Sequence, residues 1–458
     1  MSNSPNPPAQ GNFIWRWFKR LLLAFVLILV LLVATFFAWR AWASHRVAAL
    51  LMAIQEAGYP KTFRELEEKW YAPIPAADNA ALYYAKALAP LTSTNGFGSS
   101  LPYWTNSQLA ENSVLFSGQG RNKLMSVFTR NQEVLKSLRH APPQQQSRYP
   151  IDFVNGLPDA KPHLSKVGDG VRLLLLSAVF NGETGKSQDA ITDLMAALRL
   201  SASISDEPLL VSQLTLCRLI HMDTAALERI LKLNHPTDDQ LRALAAEFNR
   251  LKSPDGMEHA LVFERCFGLW AFGPEIASHG SQDPGIKKGR EFANNLMKKT
   301  GYHDNDLAYY LAVMQKHVAA SKLPFPERLR VVKQIDENHF NKGAGKLHLL
   351  STLMLVSYEK AHEGYATALA DQNIVQTVLA LERYRLTQPR QIPDSLITLI
   401  PSFLPVLSTD PFDGKSLKLK KLNQGYIVYS IGPDGVDDGG KKYQPDSKSY
   451  DLTFTIEH

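Results

Sequence analysis

Cysteine is nearly absent from this 458-residue chain: Cys217 and Cys266 are the two it has, and no Cys-x-x-Cys occurs. A dithiol redox motif and a cysteine-rich metal module are therefore excluded. Both cysteines fall in apolar, helical surroundings and read as small buried hydrophobes, with a bridge between them left open. The 13 histidines are dispersed without metal-ligand spacing. There is no His-Glu-x-x-His, no Gly-x-Ser-x-Gly, and no Gly-x-Gly-x-x-Gly after a strand. The Gly-Lys-Ser triplets at Gly185 and Gly414 lack the earlier glycine of a phosphate loop, because Phe180 and Thr409 occupy that position. The paired carboxylates Asp238 and Asp239 sit where a helix start favours negative charge. A formal charge of +6 is spread along the chain, which excludes the clustered basic footprint of a nucleic-acid binder. No constellation of side chains argues for catalysis, and the expectation is a protein that is not an enzyme.

One long apolar run is present. Leu21 to Trp39 holds 19 residues without a charge. As a helix it extends about 28 Å, close to the ~30 Å hydrocarbon core of a bilayer. Trp15, Trp17 and Phe18 precede it and Phe36, Phe37, Trp39 and Trp42 close it, as interfacial aromatics do. Arg16, Lys19 and Arg20 outnumber Arg40 and Arg46, which favours an internal N-terminus and an external body. The run reads as a signal anchor. Ala41-Trp42-Ala43 keeps a cleaved signal sequence as the alternative, though the run exceeds the usual 7–15 apolar residues of such signals. Residues 1–12 are polar and proline-rich, and a disordered cytoplasmic tail is expected over 1–20.

From about residue 44 to 385 the apolar spacing is helical. Val47, Leu50, Leu51 and Ile54 continue the pattern beyond the span. Asn79 to Leu88 forms a short helix, and breaks rich in Ser, Gly and Pro follow at 90–107 and 141–162. Ala190, Ile191, Leu194, Ala197 and Leu198 make one buried stripe on a helix that Ser187 is placed to cap. Pro208 stands near the first turn of the next helix, and Thr237-Asp-Asp-Gln240 is a capping box. Helices are expected at 260–272, 304–320, 326–340, 346–363 and 367–387. The segment Gly185 to Leu200 looks like the second helix of a tetratricopeptide hairpin, in a general array of helix hairpins.

The pattern changes after Arg385. Pro389, Pro393 and Pro401 surround a short helix carrying Leu396, Ile397, Leu399 and Ile400. Ser408 to Lys415 is a turn, 417–422 and Tyr426 to Ile431 form an antiparallel hairpin around Asn423-Gln-Gly425, and Asp451 to Ile456 is a last strand. Between the last two strands lies Gly432-Pro-Asp-Gly-Val-Asp-Asp-Gly-Gly440, a tight, acidic, oxygen-rich loop suited to a hard cation. A solvated Asp/Gly turn is the alternative reading.

Tyr384, Arg385, Asp410, Pro411, Phe412, Tyr429, Ser430, Gly432, Asp434 and Gly435 stand in an order that resembles the globular head of the major pseudopilin of type II secretion. The likeness covers about 85 residues, and the whole chain resembles bacterial single-pass membrane proteins that join a helical region to such a head. The resemblance implies calcium in the terminal loop, with Asp434, Asp437, Asp438 and Ser430 as its ligands. The chain departs from the family at its start: Gly11-Asn-Phe lies upstream of the basic residues, and no Glu interrupts Leu21 to Trp39. The expected head therefore serves on another scaffold rather than in a filament.

The expected fold is mainly α: a transmembrane helix at 21–39, an external α-helical domain at 40–365, and a small pseudopilin-like α+β module at 366–458 with an antiparallel sheet. The expected function is a non-catalytic, membrane-anchored envelope protein of the bacterial inner membrane. Its body lies in the periplasm or outside, its helical domain binds protein partners, and calcium stabilises its head. An accessory subunit of a type II secretion or pilus-like machine is one alternative. An envelope enzyme with its site among the helices is another.

Overall fold

A computed structural model describes residues 11–91, 118–141, 146–151, 153, 162–273, 295–340, 348–388, 391–442 and 449–457. The breaks expected at 90–107 and 141–162 lie largely outside these residues. Helices come first and a small sheet last. The helices are α1 (Gly11–Glu56), α2 (Phe63–Trp70), α3 (Ala80–Leu88), α4 (Gly118–Arg130), α5 (Gln132–Arg139), α6 (Pro162–Glu183) and α7 (Ser187–Ala202). They continue with α8 (Leu210–Leu233), α9 (Asp238–Arg250), α10 (Gly256–Ala271), α11 (Tyr302–Ala320), α12 (Glu327–Asn338), α13 (Leu349–Met354) and α14 (Glu359–Thr387). A 3-10 turn at Leu396–Leu399 leads to β1 (Lys418–Leu422), β2 (Gly425–Ser430) and β3 (Leu452–Glu457). The protein is mainly helical, with one long apolar N-terminal helix and a small antiparallel sheet.

The chain divides into two compact units. The first contains Met1–Tyr59, Gly268–Ala312 and Ala344–Leu355. Its main element, α1, has 46 residues and rises about 69 Å. That is more than twice the hydrocarbon thickness, because the apolar run and the periodic segment after it form one uninterrupted helix. The helix is long and apolar enough to cross a membrane, and the apolar part is exposed within the fold. It also starts earlier than expected: residues 11–20 are helical rather than a disordered tail, and 1–10 lie outside the described residues.

The second unit contains Pro60–Phe267, Val313–Gly343 and Val356–His458. The hairpin of α6 and α7 is its centre. Ala190, Ile191, Leu194, Ala197 and Leu198 are all buried, as their spacing requires. A fully buried carboxylate, Asp193, ties the hairpin to α5. It accepts bonds from Arg139 Nε (2.5 Å) and Nη2 (3.0 Å), Ser177 Oγ (2.7 Å) and Asn181 Nδ2 (2.9 Å). Both halves of the Thr237–Gln240 capping box form at the start of α9.

Three local expectations are corrected. Ser187 does not cap α7: Lys186 holds that position, and the Ser187 hydroxyl instead donates to Asn234. Pro208 lies before α8, whose cap is Leu209, so Glu207 is free to turn inward and accept from Ser212. The helices expected at 346–363 and 367–387 are instead α13 and α14, broken at 355–358. The cause of this break is side-chain capping. The Asp336 carboxylate accepts from Ser357 Oγ (2.8 Å) and from the Glu359 amide (2.9 Å), which starts α14 eight residues early.

Helix α14 is the axis of this unit. It packs against α8, α9, β2 and β3, and apolar side chains from helices and sheet form one continuous core. Its burial extends around the helix, from Ala370 to Leu381, so it carries no single apolar stripe. The boundary drawn at residue 366 falls inside this helix.

The sheet has the order β1-β2-β3, with Lys418 opposite Tyr429 and Ser430 opposite Leu452. Central β2 is buried along its whole length, and the edge strand β1 carries exposed Lys420 and Lys421. Charges on an edge strand discourage pairing with another chain. Gly425 follows the two-residue turn at φ +128°, where a Cβ would meet the Ile456 carbonyl oxygen at 1.9 Å. Only glycine fits there.

Candidate functional site

Two buried aspartates organise the acidic loop. Asp410, from the Asp-Pro-Phe turn, accepts from Phe412 N (2.9 Å), Ser430 Oγ (2.8 Å) and Ile431 N (2.9 Å). Two of the sequence motifs behind the pseudopilin resemblance are thus hydrogen-bonded to each other. Asp451, which opens β3, accepts from the amides of Asp438 (3.3 Å), Gly440 (2.7 Å) and Lys441 (3.2 Å). Its carboxyl is held above the usual aspartate range by burial, against which those amides act. Neither residue was expected among the site residues. The available signals were the Asp-Pro-Phe turn for Asp410 and, for Asp451, an acidic residue directly flanking an apolar strand.

The four expected calcium ligands divide. Ser430 is fully buried and turned inward onto Asp410. Asp437 accepts from Gly439 N (3.1 Å) and lies 3.8 Å from the Lys418 ammonium. Asp434 and Asp438 do converge: both reach the Ser449 hydroxyl, Asp434 at 2.8 Å. A hydroxyl has one proton, so it satisfies one of these carboxylates at a time. Among the described residues, no group of three or more His, Cys, Asp or Glu is arranged to hold a metal ion.

The helical body offers a different kind of site. A cleft of about 380 Å³ lies between α8 and α14, closed by 251–254, 324–328 and 409–411. This volume falls within the ~300–1,000 Å³ range of small binding sites. Leu216, Ile220, Leu251, Phe325 and Leu369 make it largely apolar. Its charged lining residues are Lys252 and Arg328, with no carboxylate among the lining side chains. The Arg328 guanidinium lies over the Phe325 ring (4.4 Å) and near Tyr365 (5.9 Å), and its Nε donates to the Leu323 carbonyl (2.8 Å). Burial lowers the pKa of Arg328, and burial alone lowers that of the partly exposed Lys252. For Arg328 the charges of Tyr365 and Glu258 oppose that effect in part; Lys252 is exposed, and neither cation forms a direct ion pair among the described residues.

Two buried amides complete the lining. Gln213 directs Nε2 to the carbonyls of Ser205 and Glu207 (2.9 Å each), which leaves Oε1, beside Gly256 and Ser253, without a hydrogen-bond partner among the described residues. Gln372 has no partner for Nε2 among the described residues. Unpaired buried polar groups of this kind are costly unless a ligand or an ordered water completes them.

A second cleft of about 560 Å³ lies on the other side of the same helix pair, bounded by Arg218, His221, Asp371, Lys442 and Asp451. His221 Nδ1 is 2.8 Å from Asp371 Oδ2. Burial would lower the basicity of His221, and Asp371 more than offsets it. Cys217 sits one turn before His221, but burial pushes its thiol up to about 12. A nucleophilic cysteine needs a shift in the opposite direction. Cys217 and Cys266 are both free thiols.

Behind Arg328 lies a buried histidine pair. His317 Nε2 is 3.3 Å from Asp336 Oδ1, and His362 is fully buried with neither ring nitrogen bonded among the described residues. Burial, then the charges of Arg328 and His317, push His362 down to about 3.

No protein-family model, curated protein or solved structure matches the chain.

Proposed function

We propose that this is a single-pass, membrane-anchored envelope protein whose helical body docks an extended apolar segment of a protein partner, without catalysing a reaction. The observation that carries this reading is the lining of the 380 Å³ cleft. Its apolar walls accept side chains, and Lys252 and Arg328 attract a carboxylate. The free Gln213 Oε1 and Gln372 Nε2 match the N–H and C=O of a peptide backbone, a pairing that a plain hydrocarbon ligand does not offer. The protonated thiol of Cys217 supports binding over nucleophilic chemistry in the neighbouring cleft. The basic residues before Leu21 support an internal N-terminus and an external body. The bond between the Asp410 turn and Ser430 supports a pseudopilin-like module with a structural role.

The test is binding of a fluorescein-labelled hexapeptide ending in Ala-Leu-Phe with a free carboxylate, followed by anisotropy with the full chain in nanodiscs. Leu369→Trp fills the cleft, and Gln372→Leu removes the free donor. Both variants should keep the native circular dichroism and melting midpoint and lose affinity, Gln372→Leu by about fivefold, the equivalent of one charge-free hydrogen bond of ~1 kcal/mol, and Leu369→Trp by at least as much. Unchanged affinity in folded Leu369→Trp sinks the proposal.

A second reading adds calcium at the loop, favoured by the convergence of Asp434 and Asp438 on one hydroxyl proton. A cation between them would relieve that shortage, with Ser430 outside the shell. Melting the full chain in excess calcium and in chelator checks it. The midpoint should rise with calcium, and the shift should vanish in Asp434→Asn/Asp438→Asn. Equal midpoints at millimolar calcium remove this reading.

A further inference from the structure

The first unit contains an apolar, basic rim beside the end of the apolar run of α1. The Trp39 indole packs edge-on against Tyr302, with centroids 5.5 Å apart, and a Cβ at Gly301 would lie 3.2 Å from the Trp39 ring and 3.4 Å from Arg40 Cα. Ser44 donates to Asp304, one turn into α11. Asp306 then accepts from the amides of Leu350 (2.8 Å) and Ser351 (3.1 Å), which pins the start of α13 to α11. His348 stacks on Tyr309 at 4.1 Å, and its basicity is lowered chiefly by burial, opposed by Asp306 and aided by the charge of Arg46. The start of α13 therefore lies level with residues 39–46 of α1.

That level has a physical meaning if α1 spans a bilayer. The seven steps from Trp39 to Arg46 rise about 10 Å. The headgroup zone extends roughly 5–8 Å beyond each side of the hydrocarbon core. Here Leu349 and Leu353 are 67% and 73% exposed, and Leu296 is 52% exposed. Lys298, Lys299 and Arg40 are exposed as well. Apolar side chains beside lysines and arginines at this depth match an anionic membrane surface: leucines reach the acyl boundary and cations meet phosphates.

We propose that Leu296, Leu349 and Leu353, with Lys298 and Lys299, seat this unit in the headgroup layer and bind anionic phospholipid. The proposal rests on the reading of α1 as a membrane span, and the experiment separates the two. The full chain is placed in phosphatidylcholine nanodiscs with and without phosphatidylglycerol, each carrying photoactivatable lipids with a diazirine either in the acyl tail or near the headgroup. Labelled peptides are then read by mass spectrometry.

Tail probes should label 21–39, and headgroup-proximal probes should label 295–300 and 349–354 well above the peptide containing exposed Leu82. Phosphatidylglycerol should raise the headgroup labelling. Lys298→Gln/Lys299→Gln should reduce that gain by about fivefold or more, given ~1 kcal/mol per basic residue near an anionic surface. Leu349→Asn/Leu353→Asn should abolish labelling of α13 while 21–39 stays labelled. Strong labelling of 21–39 with none at 349–354 overturns the rim alone. No labelling of 21–39 overturns the anchor and the rim together. Protection of 349–354 that scales with protein concentration, without lipid labelling, assigns the rim to a second copy of the chain and overturns the proposal.

Discussion

Replacing Asp410 by alanine should open the C-terminal sheet. The carboxylate accepts three hydrogen bonds, from Phe412 N, Ser430 Oγ and Ile431 N. Ser430 and Ile431 are buried, so water does not replace the last two. Bonds to a charged acceptor contribute about 1.5–3 kcal/mol each, and donors left unpaired in the interior add their desolvation cost. A loss of about 3–5 kcal/mol follows, a large share of the ~5–15 kcal/mol that stabilises a typical domain. Hydrogen exchange followed by mass spectrometry reads it locally, on peptides covering Gly425–Ser430 and Leu452–Glu457. At 1.4 kcal/mol per factor of ten, their amides should exchange at least about a hundredfold faster, with α6 and α7 little changed. Ser430→Ala should cost about 1 kcal/mol alone and less than that on top of Asp410→Ala, because the two share one bond and only the Gly432 amide's bond to Ser430 Oγ (3.2 Å) is left to lose. Acceleration below about tenfold in folded Asp410→Ala, or full additivity of the pair, would refute the argument that these two motifs are joined through this carboxylate.

Three more outcomes are expected. His362 is held neutral, with its pKa near 3 against 6.5 in the unfolded chain; its contribution is complete above pH 6.5 and lost at about 1.4 kcal/mol per unit as pH falls below it, so urea midpoints should drop between pH 6.5 and 4.5 and drop less in His362→Leu. Asp193→Ala should destabilise the helical body by about 3–5 kcal/mol by stranding Arg139 beside buried Ser177 and Asn181, and Arg139→Met/Asp193→Leu should recover much of that loss in denaturant titrations. Gly268→Ala places a Cβ within 2.1–2.2 Å of the Tyr310 ring, and overpacking of this kind should lower the melting midpoint by the equivalent of about 1–3 kcal/mol, with Tyr310→Leu restoring it.

What could be read along the chain was local. The apolar run at Leu21–Trp39, the Thr237–Gln240 box and the hairpin around Asn423-Gln424 each depend on neighbours a few residues apart, and each is present in the structure. The errors occur where a distant polar side chain decides. Asp336 starts α14 at Glu359, Asp306 holds α13, and Asn234 draws the Ser187 hydroxyl away from the helix start. Ser430 shows the same effect at the loop: its place in the motif suggested a ligand, but Asp410, 20 positions earlier, turns it inward. The cleft was illegible because five separate segments line it. Its nearest signal was Gln213 and Gln372, amides on helices whose neighbours in the fold are apolar.

The central claim is that the cleft recognises an apolar segment with a carboxylate. The most direct test compares one hexapeptide as the free acid and as its C-terminal amide, by anisotropy, on the wild-type chain and on Lys252→Gln/Arg328→Gln. With neither cation in a direct ion pair among the described residues, the acid should bind about tenfold tighter than the amide to the wild type, and the ratio should fall close to one in the double variant. Equal binding of acid and amide to the wild-type chain, or a preference that survives removal of both cations, would contradict the account.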